Sequence, residues 1–336
     1  MSRLGLLFLC LLQFSCNSQR SEKINGVSYV GSREKVTQEH IAPVLKVNAN
    51  YAAVMPFGFI RNLSAPNVIF NTDRQWYGET RVGAKQYAKL LKKSNVKIMI
   101  KPQIWVWRGE FTGDITMKTE ADWSEFERTY EDFILTYADL AQEVNAEVYC
   151  IGTELEEFVK ARPTFWSSLI DKVKKTYTGK LTYAANWDEY TRTPFWDTLD
   201  FIGVDAYFPL SDAQSPTKEE LSKGWQKWKV KLKALSEEKQ KPILFTEFGY
   251  RSMDYTAKKP WLVDENDMGV NLQGQADATQ VIFDEFWNED WFAGGFVWKW
   301  FIHHERSGGV GDNRFTPQNK PSEVVIRSFY GDYLKK

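Results

Sequence analysis

The chain has 336 residues, with 43 Lys and Arg against 44 Asp and Glu and a formal net charge of −1. That length accommodates one α/β barrel of typically about 250 residues with long loops. The balanced charge, free of long single-sign runs, excludes a basic nucleic-acid surface. Fourteen Trp, 15 Tyr and 22 Phe supply core. Tryptophan in such numbers also suits stacking against sugar rings, because it joins a large apolar face to a polar N–H.

The first element is a leader. Arg3 is followed by the apolar run Leu4 to Leu12, too short to span a bilayer as a mature helix. Ser15-Cys16 and then Asn17, Ser18, Gln19 and Arg20 give residues 1–16 the look of a lipoprotein-type signal, with Cys16 as the lipidated residue. Gln13 and Phe14 are not the usual neighbours of such a site, and a plain secretory peptide cut nearby is the alternative. The expectation is an exported protein, anchored at the periplasmic or cell-surface membrane through that lipid alone, and otherwise secreted. Residues 17–23 read as a tether and 24–336 as one folded domain. Cys10 and Cys16 lie in the leader, so Cys150 has no partner for an intradomain disulfide and reads as a small buried hydrophobe.

From there strand and helix signals alternate. Val27 to Val30 reads as the first strand, Ala52 to Ile60 as the second and Val96 to Trp105 as the third. Ala146 to Thr153, Leu181 to Asn186, Phe201 to Phe208, Ile243 to Phe248 and Gly294 to Trp300 follow. Most are short apolar runs rich in β-branched and aromatic residues, as strands buried on both faces should be. Phe126, Tyr130, Phe133, Tyr137, Leu140 and Ala141 fall at helical spacing, with Asp122 and Glu125 as a capping-box-like start. Leu221, Trp225, Trp228, Leu232 and Leu235 form another helical stripe, read as packing against the sheet. Gln86 to Lys93 and Ala276 to Trp287 complete the set, and Asp254 to Gly274 reads as a long loop. Eight alternating units without a Gly-rich phosphate loop predict a single (β/α)8 TIM barrel.

In a barrel, chemistry sits at the C-terminal strand ends. The fourth strand delivers Thr153-Glu154 and the seventh Thr246-Glu247. A carboxylate at the end of a buried strand is costly unless paired or used. Two from facing strands form a pair able to act as acid and nucleophile, or acid and base, in glycosidic hydrolysis. Salt-bridging rim carboxylates are the competing reading, and Glu156 is the next candidate near the fourth strand. Candidate sugar contacts at other strand ends are Lys101, Gln103, Trp105, Thr153, Asn186, Trp187, Asp205, Tyr207 and Trp298. Trp76 and Trp300 read as packing. The chain has only His40, His303 and His304, and adjacent side chains on an extended segment point apart, so no metal site and no cofactor are expected.

These motifs resemble clan A of the glycoside hydrolases, and within it glycoside hydrolase family 113, a group of β-mannanases. The resembling stretches are Ile151-Gly152-Thr153-Glu154-Leu155, Ala184-Ala185-Asn186-Trp187, Phe201 to Tyr207 and Lys241 to Tyr250. The resemblance runs from about residue 24 to the C-terminus. It implies a retaining mechanism in which Glu247 is the nucleophile and Glu154 the acid and then the base. It also implies Tyr207 near the nucleophile and Trp298 as the floor of the subsite for the cleaved sugar. Many clan members have Asn before the acid/base, contacting the sugar 2-hydroxyl; here Thr153, with a shorter reach, stands in that place. The substrate this implies is a β-1,4-linked polysaccharide or oligosaccharide, most like β-mannan. Alternatives are a non-catalytic glycan-binding lipoprotein on the same barrel and a glycosidase or transglycosylase acting on another β-glycan. No nucleic-acid partner is expected, and a monomer is.

Overall fold

The computed structural model describes residues 22–262 and 268–333; the leader, with Cys16, lies outside them. In chain order the elements are β1 (Ile24–Tyr29), α1 (Gln38–Lys46), β2 (Tyr51–Val54), β3 (Phe57–Ile60), α2 (Arg81–Lys93), β4 (Lys97–Ile100), β5 (Gln103–Val106) and α3 (Glu120–Glu143). Then come β6 (Val148–Thr153), α4 (Glu156–Ala161), α5 (Pro163–Thr176), β7 (Lys180–Asn186), β8 (Ile202–Asp205), α6 (Lys218–Lys239), β9 (Ile243–Phe248), α7 (Leu272–Phe286), β10 (Phe292–Trp300) and α8 (Pro321–Tyr333). Eight strands close into a parallel barrel in the order β1-β10-β9-β8-β7-β6-β4-β2, and β3 and β5 pair separately. The expected (β/α)8 architecture is therefore the one found.

Side chains alternate between two compartments, as the period of a strand demands. Ala53, Met99, Val148, Cys150, Ala184, Leu244 and Phe296 fill the barrel interior. A Cβ on Gly26 would come within 2.4 Å of the Phe296 ring, so the missing side chain there makes room for that ring. Cys150 is free and buried, as expected, and burial pushes its thiol up to about 11. Outside the barrel lies the larger, aromatic-rich core, where Trp225 packs edge-on against Phe286 at 4.9 Å and α6 contributes it fully buried.

Three features depart from the sequence reading. The second and third strands are each broken in two, because Pro56 and Pro102 lack the N–H a ladder needs. After those breaks β3 and β5 leave the barrel and pair with each other at its mouth, with Phe57 opposite Gln103. Helix α3 starts earlier than expected: Thr119 is its N-cap, accepting the Asp122 N–H at 3.1 Å. Finally, no α-helix joins β7 to β8. Residues 187–201 are short and interrupted by Pro194, and a single 3-10 turn, Trp196–Thr198, plugs the gap with a buried Trp196.

Candidate active site

Lys101, one residue beyond β4, has no exposed surface. Its ammonium donates to Glu247 Oε1 and to both oxygens of Asp205, at 3.1 and 3.2 Å. Burial opposes that charge, but the Asp205 and Glu247 carboxylates outweigh it and the Lys101 pKa is raised. Gln103, the first residue of β5, donates to the same Glu247 oxygen at 2.8 Å. Tyr207, two residues past β8, donates to Glu247 Oε2 at 2.7 Å. The break at Pro102 is thus what turns Gln103 across the mouth toward β9.

Glu247 is 5 % exposed and accepts three donors, one of them a cation. Asp205 is fully buried at the end of β8 and accepts the Thr246 hydroxyl at 2.7 Å. Burial and then the Glu247 charge push its carboxyl up to about 7, against the pull of Lys101. Removing both charges of such a pair is often tolerated, whereas removing one leaves a buried charge uncompensated.

Glu154 follows β6 directly. The pairing of β6 with β7 slips register between Cys150 and Thr153, and Glu154 itself adopts a left-handed backbone with φ of 50°. A non-glycine residue there is uncommon and points to an imposed geometry. Burial, followed by the charges of Asp205 and Glu247, raises its carboxyl well above the usual carboxylate range, with Lys101 pulling the other way. Among the described residues no side chain donates a hydrogen bond to it. Glu156 stands apart in the first turn of α4, gripped by Arg192 at 2.5 and 2.8 Å, and takes no part in this cluster.

The remaining candidates are placed as follows. Asn186 ends β7 and caps its own successor, its Oδ1 accepting the Trp187 N–H at 2.9 Å. Trp187 stacks on Trp261 at 4.8 Å and 21°. Trp298 is half-buried on β10, and the Lys299 ammonium sits 5.2 Å from its ring. Thr153 closes β6 with its hydroxyl buried. Trp105 is half exposed on β5. Trp300 is fully buried, as expected of packing, but Trp76 is exposed at 44 % with Arg33 over its ring. His303 and His304 bond separate carboxylates, Glu34 and Glu323.

Two nearby groups, Thr246 and Lys299, were marked only as parts of a strand end, and a third, Glu189, was not foreseen. Thr246 was visible only as the residue before Glu247. Lys299, whose ammonium also faces Phe301 at 5.3 Å, has a pKa lowered chiefly by burial. Glu189 is 1 % exposed three residues past Asn186, in the helix-less crossover. No sequence pattern marks it, since its partners are a backbone N–H and a tyrosine on the preceding strand.

Carboxylates gathered at the C-terminal mouth of a closed parallel barrel, beside aromatic faces, define the class: a glycoside hydrolase on a (β/α)8 scaffold. The chain matches Glycoside Hydrolase Family 113 over residues 29–320 and belongs to that family. It is similar in fold to a solved GH113 β-mannanase from Alicyclobacillus acidocaldarius in complex with ManMIm, at 22 % identity and a TM-score of 0.80, covering 93 % of this chain and 98 % of that one. A solved GH113 β-1,4-mannanase gives 22 % identity and a TM-score of 0.79 over 92 % and 99 %. A β-glucuronidase from Ruminococcus gnavus is more distant, at 12 % identity and a TM-score of 0.63, covering 92 % of this chain and 50 % of that one. No curated protein sequence matches the chain.

Proposed function

We propose that the protein is a retaining hydrolase of β-1,4-linked mannan chains. In this reading Glu247 attacks the anomeric carbon and forms a covalent glycosyl-enzyme. Glu154 gives its proton to the departing glycosidic oxygen, then takes one from the water that releases the sugar. The supporting observation is the contrast between the two carboxyls. Glu247 is fixed by Lys101, Gln103 and Tyr207, which suits an oriented nucleophile. Glu154 has no such donors, and its raised pKa suits a group that must carry a proton at neutral pH. Membership of family 113, and β-1,4-mannanases among the similar structures, support mannan as the substrate.

Mannan and cellulose oligosaccharides of equal length test this, with products and anomeric configuration followed together. The expected outcome is cleavage of the mannan series with retention. Glu247→Gln should lose on the order of 10³-fold or more in kcat/KM. Glu154→Gln should lose on the order of 10²-fold or more on the same oligosaccharides. Inversion, or full activity in either variant, would remove the role assigned to that carboxylate. Binding without any cleavage by the wild type would favour a glycan-binding barrel instead.

A further inference from the structure

Glu189 is a buried carboxylate that this reaction does not use, yet it lies one side chain from the turn that carries Glu154. Its Oε2 accepts the Asn186 backbone N–H at 3.0 Å, and its Oε1 accepts the Tyr183 hydroxyl at 2.8 Å. The same Tyr183 oxygen accepts the backbone N–H of Leu155 at 2.6 Å. The N–H of Glu154 itself donates to the Ala184 carbonyl at 2.8 Å. Both peptide N–H groups that flank the Glu154 Cα are therefore tied to successive residues of β7. That double tie matters because the backbone between them is left-handed, a conformation an ordinary residue keeps only when its surroundings enforce it.

Tyr183 cannot easily drift. It has no exposed surface, and its ring is wedged edge-on between Trp166 at 5.7 Å and Phe195 at 5.4 Å. Its hydroxyl has one proton to give, and Glu189 is the acceptor that leaves the oxygen lone pairs facing Leu155. Without that acceptor the hydroxyl proton could point at the Leu155 N–H and repel it. The crossover itself is pinned at its far side by the Arg192 grip on Glu156, in the helix that follows the turn.

We infer that Glu189, acting through the Tyr183 hydroxyl, holds the left-handed turn that aims the Glu154 carboxyl, and is a positioning residue for proton transfer. The inference rests on the reading of Glu154 as acid/base. It separates from a purely structural role by leaving-group dependence. A sugar leaves only if protonated, whereas a dinitrophenolate leaves without help, so misaiming the acid slows the first and spares the second.

The test compares kcat/KM on mannotetraose and on the 2,4-dinitrophenyl β-glycoside of mannobiose for wild type, Glu189→Gln, Tyr183→Phe and Glu154→Ala. Glu189→Gln should lose about 10- to 100-fold on mannotetraose and less than about threefold on the aryl glycoside. Tyr183→Phe should show the same pattern, and it decides the matter alone if Glu189→Gln does not fold. In both, azide should speed release from the glycosyl-enzyme, since azide needs no base. Equal losses on the two substrates, or no loss on either, with Glu154→Ala still selective, would overturn the inference and leave Glu154 in place. Loss of selectivity in Glu154→Ala itself would overturn the reading of Glu154, and the inference with it.

Discussion

The Glu154 carboxyl is the point where function and stability pull apart. Its pKa is raised in the folded protein, above an unfolded value of about 4.3. Such a group binds more protons folded than unfolded, so it costs nothing at a pH below the unfolded value. The cost grows as pH rises toward the folded pKa and stays constant beyond it. Glu154→Gln keeps the shape and removes the ionisation. Its melting midpoint should therefore exceed that of the wild type by about 2 °C at pH 8, and match it at pH 4. Melting curves at the two pH values check this; a variant less stable at pH 8 would mean that the carboxylate has a stabilising partner. Residues of this kind were only half legible in the sequence. The order Thr153-Glu154 and Thr246-Glu247 at strand ends marked both glutamates, and Lys101, Gln103, Asp205 and Tyr207 fell at neighbouring strand ends. Which of them would bond was not readable, because that depends on where Pro102 turns the chain. Glu189 was invisible for a related reason: its partners are a main-chain N–H and Tyr183, and neither leaves a pattern.

At the scale of the element, the strands were legible because burial on both faces leaves few polar residues inside them, Asn25, Ser28 and Thr182 among them. Their interruptions were less so. Pro56 and Pro102 split two strands that read as continuous, and the crossover of residues 187–201 mixes aromatic with charged residues and holds no α-helix. The slip in register between β6 and β7 shows how tightly an element controls the site. Gly152 lies inside that slip, and a Cβ there would meet the Tyr130 hydroxyl at 2.7 Å, Trp166 at 2.9 Å and Tyr183 at 3.1 Å. All three neighbours are buried aromatics that cannot swing aside. Gly152→Ala should therefore cost about 1–3 kcal/mol by overpacking. It should also push Tyr183 from Leu155, so kcat on unactivated oligosaccharides should fall about tenfold or more. Denaturant unfolding and steady-state kinetics on one preparation check both; a variant of wild-type stability and rate would mean that β6 can move outward freely.

On the scale of the whole molecule, the packing behind barrel closure shares no hydrogen bond with the carboxylate cluster. The seam is the parallel pairing of β1 with β10, and α8 reaches β1 through Tyr330. Tyr330 of α8 is fully buried, donates to the Gly26 carbonyl at 3.1 Å and packs on Phe283 at 5.4 Å, while its neighbour Phe329 stacks flat on Phe283 at 4.4 Å. Truncation to Ala would open a cavity against β1 and remove that hydrogen bond, a loss of about 3–5 kcal/mol. For a domain of this size that lowers the melting midpoint on the order of 10 °C. The carboxylate cluster shares no partner with Tyr330, so the two sites should behave independently while the protein stays folded. The expected result for Tyr330→Ala is a large fall in melting temperature with kcat/KM at 25 °C within about twofold of wild type. Thermal melts and kinetics on the same sample decide it. A parallel loss of activity at 25 °C would show that strain at the seam travels along β10 to Trp298, the one strand that belongs to both.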